Sequence, residues 1–327
     1  MDLNKKGTVY IERIRVGRVA SLMVKNKKYY ELNHEDNTRH YKNYNHGGTE
    51  EAHAKTWLDP DTVDAWRHRR MYSALNPLLK DERTTWLTIG DGRFGTDSRY
   101  ICENGGDATA SDIDDSLLQE AATSGFISKF SKENAESLSF EDGSFDFVFC
   151  KESYHHLPRP TLALYEMLRV ASMGVVLIEP NDRFISYSLI RNICTHVINK
   201  LLSLVGRDVN KFSFEEFGNY VYPISQRELE KVALGMNYRY LAFKGINDSY
   251  QYGVEFEKVS ENGSLFRKVK FKIMIQDLLV KLRIIDSVIL VAIIFKELPS
   301  VALLRRLEMD GFDVVELPVN PYAHGSV

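Results

Sequence analysis

Between residues 84 and 182, short apolar runs alternate with stretches whose apolar positions recur at helical spacing. Residues 84–90 (TTWLTIG) predict a buried strand that runs into a glycine turn and a helix. Residues 107–114 end a second strand, and 116–125 predict a helix closed by Gly125. A third short strand falls within 130–136, a fourth at 144–150, a helix at 160–171 and a fifth strand at 173–180. Strands that are apolar throughout and separated by helices imply a parallel sheet covered on both faces.

The flanks are less regular. Residues 61–79 predict a helix with Asp61 as N-cap and with Val63, Trp66, Met71 and Leu75 or Leu78 on one face. Upstream, Val9 to Ile11 and Val19 to Val24 read as two strands turning near Gly17, and His34, His40, His46 and His53 fall in a polar loop. After residue 181, Ile185, Leu189, Ile193, Val197, Leu201 and Val205 recur every four residues, a stripe wide enough that it should dock on something. Residues 225–238 predict a capped helix, 238–246 a sixth strand, 287–296 a seventh, and 298–318 a helix and a last strand. The insert 247–286 alternates Val269, Phe271, Ile273 and Ile275 with Lys268, Lys270, Lys272 and Met274, which predicts a strand with one apolar and one cationic face. The expected division is 1–80 (extension and pocket-covering helix), 81–182 (cofactor-binding half), 183–224 (helical cap), 225–297 (second half, carrying the insert) and 298–327 (closing helix and strand).

Composition narrows the classes. The 327 residues are 44% hydrophobic and 27% charged, ordinary for a globular chain. Lys and Arg number 42 against 45 Asp and Glu, a net charge of −3, so no global field favours a nucleic-acid partner. Cys102, Cys150 and Cys194 are too few and scattered for a disulfide framework or a Cys-based metal site, and no metal is expected. The longest apolar run, 288–295, is far short of the ~20 residues of a membrane span, and residues 1–15 lack a signal-peptide core. A cytoplasmic protein is expected.

Gly90-Asp91-Gly92-Arg93-Phe94-Gly95 follows the first strand directly and reads as GxGxxG. Glycines there let the backbone turn and approach a ligand at the carboxyl ends of parallel strands. Asp112, 17 residues past Gly95, ends the second strand, where a carboxylate can accept from both ribose hydroxyls or cap the next helix. The ribose could belong to NAD or to S-adenosylmethionine.

The following segments separate the two. Asn134-Ala135-Glu136, then Leu138 and Phe140, then Asp142-Gly143-Ser144-Phe145-Asp146, then His155-His156-Leu157 resemble, in order and spacing, the class I S-adenosylmethionine-dependent methyltransferases of the type-11 small-molecule group. The resemblance covers residues 84–182, and more faintly 225–246 and 287–297. It implies a Rossmann-like α/β core, with a seven-stranded, mostly parallel sheet, an N-terminal extension and cap insertions. It also implies S-adenosylmethionine as cofactor. Gly90, Asp91 and Gly92 would pack on its methionine and ribose parts, and Asp112 would bind the ribose with Ile113 against the adenine. Asn134 and the Ala135 amide would bind the adenine edge, and Lys151 would begin the segment lining the methionine. The family's acid two residues before the first loop glycine is here Thr88, so Asp91 or backbone carbonyls would take its place.

Methyl transfer to a hydroxyl needs alignment and a proton acceptor. His155 is the expected base, with Glu152 second, because both follow the fourth strand at the sheet's carboxyl edge; Tyr154 beside them is an expected acceptor contact. Trp66, Arg70, Tyr220 and Tyr222 are expected around the acceptor. The expected activity is O-methylation of a small molecule, sugar-containing or from a natural-product or surface-polysaccharide pathway. The alternatives are an NAD(P)-dependent oxidoreductase and a catalytically silent cofactor-binding module. Segments 184–205 and 247–286 are expected to cap the carboxyl edge and favour an anionic acceptor, the rivals being a homodimer contact and peripheral contact with a membrane.

Overall fold

The computed structural model describes residues 55–80, 83–183 and 220–322, with 193, 196, 197, 200, 201, 204, 213 and 214 between them. The two expected N-terminal strands and the histidine-bearing loop lie outside the described residues.

Eight strands form one sheet: β1 (Thr85–Ile89), β2 (Asp107–Asp112), β3 (Phe130–Lys132), β4 (Phe145–Lys151), β5 (Ala171–Pro180), β6 (Tyr240–Ile246), β7 (Ile289–Phe295) and β8 (Asp313–Glu316), in the spatial order β3-β2-β1-β4-β5-β7-β6-β8. The neighbours from β3 to β5 are parallel, whereas β7 runs antiparallel to both β5 and β6. β8 joins antiparallel to β6, so the tail adds an eighth strand to the expected seven. Strand β7, ILVAIIF, is buried at every position because helices cover both faces of the sheet. Neighbouring residues alternate between two cores: Leu87 and Val148 enter one with Leu164 and Leu177, while Trp86 and Phe147 enter the other with Val176 and Val291.

Among the described residues the α-helices are α1 (Val63–Tyr72), α2 (Thr96–Glu103), α3 (Ser116–Thr123), α4 (Pro160–Val170), α5 (Gln226–Gly235), α6 (Ser264–Lys281) and α7 (Val301–Met309). The N-cap of α1 is Thr62, whose hydroxyl accepts from the Ala65 amide at 3.0 Å. The expected cap, Asp61, is occupied instead by the amide and hydroxyl of Ser260. Ser225 caps α5 as its sequence predicts.

The insert departs most from expectation, because α6 is a helix and not an alternating strand. Val269 and Ile273 are four residues apart, as are Phe271 and Ile275, so a period of two also describes two opposite faces of a helix. Val269 and Ile273 are buried with Val63, Val254 and Phe266, and the Phe266 ring meets Trp66 edge-on at 5.0 Å. Arg67 Nε donates to Asp248 Oδ1 at 2.9 Å, and a second guanidinium nitrogen pairs with the other oxygen. The insert is thereby welded to α1. Between β5 and α5, Ile193, Val197, Leu201 and Leu204 lie in helical backbone and are 49–76% exposed, so the first three, which belong to the expected docking stripe, face outward.

The chain builds β1 to β3 in one direction and then places β4 on the other side of β1. That reversal opens a crevice at the carboxyl edge between the loops after β1 and β4. Because β6 is parallel to the core strands and β7 returns, the insert leaves and re-enters the sheet at this same edge.

Candidate functional site

The loop after β1 depends on its glycines at two points. Gly90 has φ +72° and sits so close to the β4 loop that a Cβ would stand 2.3 Å from Ser153 Oγ. A Cβ on Gly92 would stand 2.6 Å from Asp112 Cγ and Oδ2. The absent side chain therefore lets the loop backbone lie on the carboxylate that ends β2. Asp112 Oδ2 accepts from the Gly92 amide at 3.0 Å and Oδ1 from the Asp114 amide at 2.9 Å. Burial nevertheless pushes its carboxyl up to about 6. Ile113 beside it is half-buried. Across β3, Asn134 Oδ1 accepts from the Glu136 amide and shapes the turn, while Ala135 packs against the core. Glu136 in turn accepts from the amide and Nε of Arg159, tying this turn to the HHLPRP segment.

Asp91 does not take the place of the family's acid. Its carboxylate accepts from the Asp97 and Ser98 amides at 3.0 and 2.9 Å and from Thr88 Oγ1 at 2.8 Å. It is 3% exposed and serves the first turn of α2, whose unpaired amides attract a carboxylate. Burial, with the charge of Asp97 next, drives its carboxyl upward. Thr88 itself is fully buried, so this position offers a ligand no acid.

The loop after β4 turns on Glu152, a non-glycine residue with φ +50°. The turn aims the amides of Ser153 and Tyr154 at one buried oxygen, Glu179 Oε1, each at 2.9 Å. The other oxygen, Oε2, lies 2.5 Å from His155 Nδ1. Glu179 is fully buried near the end of β5 and fixes both the loop and the imidazole. Tyr222 donates its amide to the His155 carbonyl, and the Tyr220 and Tyr222 rings meet edge-on at 4.8 Å. Tyr154, expected at the acceptor, is instead buried in the core, because the short 3₁₀ turn at 154–156 directs it inward.

Helix α1 closes the other side of the crevice. Lys151 Nζ pairs with Asp97 Oδ1 at 3.2 Å and lies 3.3 Å from His68 Nδ1. Glu152 Oε2 lies 3.5 Å from the same His68 nitrogen. Burial alone would raise the Glu152 carboxyl, but His68, Lys151 and Arg67 outweigh it and hold the group below the usual range. Tyr72 donates to Asp97 at 2.6 Å. Over this cluster sits Trp57, whose ring is 4.5 Å from that of His68 and 4.8 Å from the Arg93 guanidinium. Its indole Nε1 is buried without a partner. Trp66 and Arg70 face away from the crevice toward the insert: Trp66 meets Phe266, and Arg70 donates to the Asn247 carbonyl at 2.9 Å. A helix seen only as sequence does not reveal which of its faces meets the crevice.

Sequence reasoning missed Glu179, Asp97, His68 and Trp57. Glu179 left a signal, as the one acid in an otherwise apolar strand just before Pro180. The other three lie in segments whose relation to the crevice is set only by tertiary packing.

Residues 87–178 match the family described as "Methyltransferase domain". Over 99 residues the chain is 33% identical to the 2-methyl-6-phytyl-1,4-hydroquinone methyltransferase of a Synechocystis species, which covers 29% of this chain and 31% of that protein. The chain thus spans about a third of the length of that curated relative. Among solved structures, a methyltransferase from Methanosarcina mazei is 17% identical at a TM-score of 0.42, covering 68% of this chain and 96% of its own. One from Archaeoglobus fulgidus is 17% identical at 0.43, covering 72% and 95%.

Proposed function

We propose, from the membership of residues 87–178 in the class I S-adenosylmethionine-dependent methyltransferases of the type-11 group, that this chain transfers a methyl group to a hydroxyl of a small molecule. The observation that carries the choice of a hydroxyl is the His155–Glu179 pair, a buried carboxylate locking an imidazole at the carboxyl edge. A hydroxyl becomes a competent nucleophile only as its proton leaves, and an oriented imidazole is the side chain suited to receive it near neutral pH.

The residues present fit the cofactor. Gly92 lets the loop backbone lie against the Asp112 carboxylate, a group that can accept from two vicinal hydroxyls, and the indole N–H of Trp57 is an unused buried donor at the methionine side of the crevice. When bound, S-adenosylmethionine supplies an electrophilic methyl group on a sulfonium. Asp112 would hold the ribose with Ile113 against the adenine, and Asn134 and the Ala135 amide would meet the adenine edge. Gly90, Gly92 and the backbone at Asp91 and Lys151 would line the remainder. His155 would take the hydroxyl proton as the new carbon–oxygen bond forms, with Glu179 as the group that positions it. Glu152, held as a carboxylate by its cationic neighbours, serves the charge balance of the Lys151–His68 cluster better than proton abstraction.

The acceptor we favour is a ring-bearing molecule such as a sugar-containing precursor, because Tyr220 and Tyr222 offer flat apolar surfaces in a segment hydrogen-bonded to His155. Incubation with isotopically labelled S-adenosylmethionine and a metabolite extract should place label in a base-stable methyl ether. Label in an amine, or tight binding of NAD in place of S-adenosylmethionine, would overturn the assignment.

A further inference from the structure

Helix α6 is apolar on two opposite sides. Its inner face, Phe266, Val269 and Ile273, is at most 5% exposed against α1. Its outer face carries Phe271, Met274, Leu278 and, just past the helix, Leu282, spaced by three or four residues and 51–59% exposed. A helix face open to water is ordinarily polar, so this second stripe calls for an occupant.

The charges beside the stripe indicate which. Arg267, Lys268, Lys272 and Lys281 flank it, in a chain whose net charge is −3. The helix has a single acid, Asp277, and that carboxylate accepts from Asn247 Nδ2 at 2.8 Å. A second copy of the chain fits poorly, since a two-fold contact would press each row of cations against its own duplicate. An anionic lipid surface complements both features: the apolar stripe enters the headgroup boundary and the flanking cations meet the phosphates. No helix among the described residues is long and apolar enough to cross a membrane, so the contact is peripheral.

We propose that the outer face of α6 docks this protein on an anionic membrane surface. The helix belongs to the excursion between β6 and β7, at the edge where Asp112 and His155 lie, so docking brings the open side of the crevice toward the lipid. The exposed Ile193, Val197, Leu201 and Leu204 follow β5 and leave the sheet at that same edge, a second apolar surface available to the same contact. The inference does not depend on the reaction catalysed.

The test is sedimentation of the full chain with vesicles of phosphatidylcholine and of an equimolar phosphatidylcholine–phosphatidylglycerol mixture. Binding should be at least about tenfold stronger to the anionic vesicles and should weaken as salt is raised. Phe271→Glu or Leu278→Glu should abolish it, and Lys268→Gln and Lys272→Gln should each reduce it about fivefold. All four side chains face outward, and an unchanged thermal melt confirms that the variants fold. Absence of binding, or equal binding to both vesicles, overturns the proposal. So does a wild-type dimer without lipid affinity that Phe271→Glu splits into monomers, which would make the face a contact between copies.

Discussion

Glu179 Oε2 and His155 Nδ1 lie 2.5 Å apart, and the partner oxygen of the same carboxylate gathers the amides of Ser153 and Tyr154. One buried group therefore sets both the path of the loop after β4 and the orientation of the imidazole that it carries. Glu179→Gln keeps the shape and removes the charge. It should lower kcat about 10²-fold or more while leaving cofactor affinity within about threefold, because a proton acceptor acts on the acceptor molecule. Calorimetric cofactor binding alongside turnover checks this; a loss confined to binding would make the pair a scaffold only.

Asp112 links affinity to pH. Its carboxyl is raised to about 6 in the folded chain, above the ~3.9 of an unfolded aspartate. The folded state thus holds more protons across that interval, and stability falls as pH rises from about 4 to 6. Asp112→Asn should raise Tm at pH 7, lose that advantage near pH 4, and weaken cofactor binding at least about tenfold at neutral pH. Thermal melts at the two pH values and one binding isotherm decide it.

Gly92→Ala should act on the ligand more than on the fold. Gly92 does not have a positive φ, so alanine suits its backbone, but the new methyl would displace the Asp112 carboxylate 2.6 Å away. Cofactor affinity should fall about tenfold with little change in Tm. Gly90→Ala should differ, because φ +72° and the 2.3 Å approach to Ser153 Oγ strain the fold itself, by roughly 1–3 kcal/mol. Melting curves that rank the two variants the other way would refute this reading.

Arg67 and Asp248, both under 10% exposed, join α1 to the start of the insert. Arg67→Ala leaves two buried carboxylates, Asp64 and Asp248, without their shared partner and should cost at least about 3 kcal/mol, measured by denaturant unfolding. The double variant Arg67→Met, Asp248→Leu should recover only part of that loss, because Asp248 is no longer stranded but the buried Asp64, which also pairs with Arg67, still lacks that partner.

The order of strands and helices from 84 to 182 was legible because β1, β4 and β5 are largely apolar on both faces and because Gly90, Gly105, Gly125, Gly143 and Pro160 punctuate most of the connections. The placing of Asp112 and His155 at the carboxyl edge was legible too, since it follows from the parallel pattern of β2 and β4 alone. Helix α6 was not, because its residues alternate at a spacing that strand and helix both satisfy, and only the buried contacts with Val63 and Val254 choose between them. Asp91 was misplaced for a related reason. A loop carboxylate can serve a ligand or the amides of the next helix, and the choice rests on where α2 begins.

The insert departs after Ile246 and returns before Ile289, and these two residues are paired across neighbouring strands. A detour whose ends meet imposes no displacement on the sheet, whatever its length, and lengthening such a loop raises its closure cost only slowly. Residues 247–288 can therefore change without disturbing the strands, provided that α1, which they hold through Asp248 and Val254, changes with them. The surface presented above the crevice can be rewritten while the strands that hold Asp112 and Glu179 keep their register.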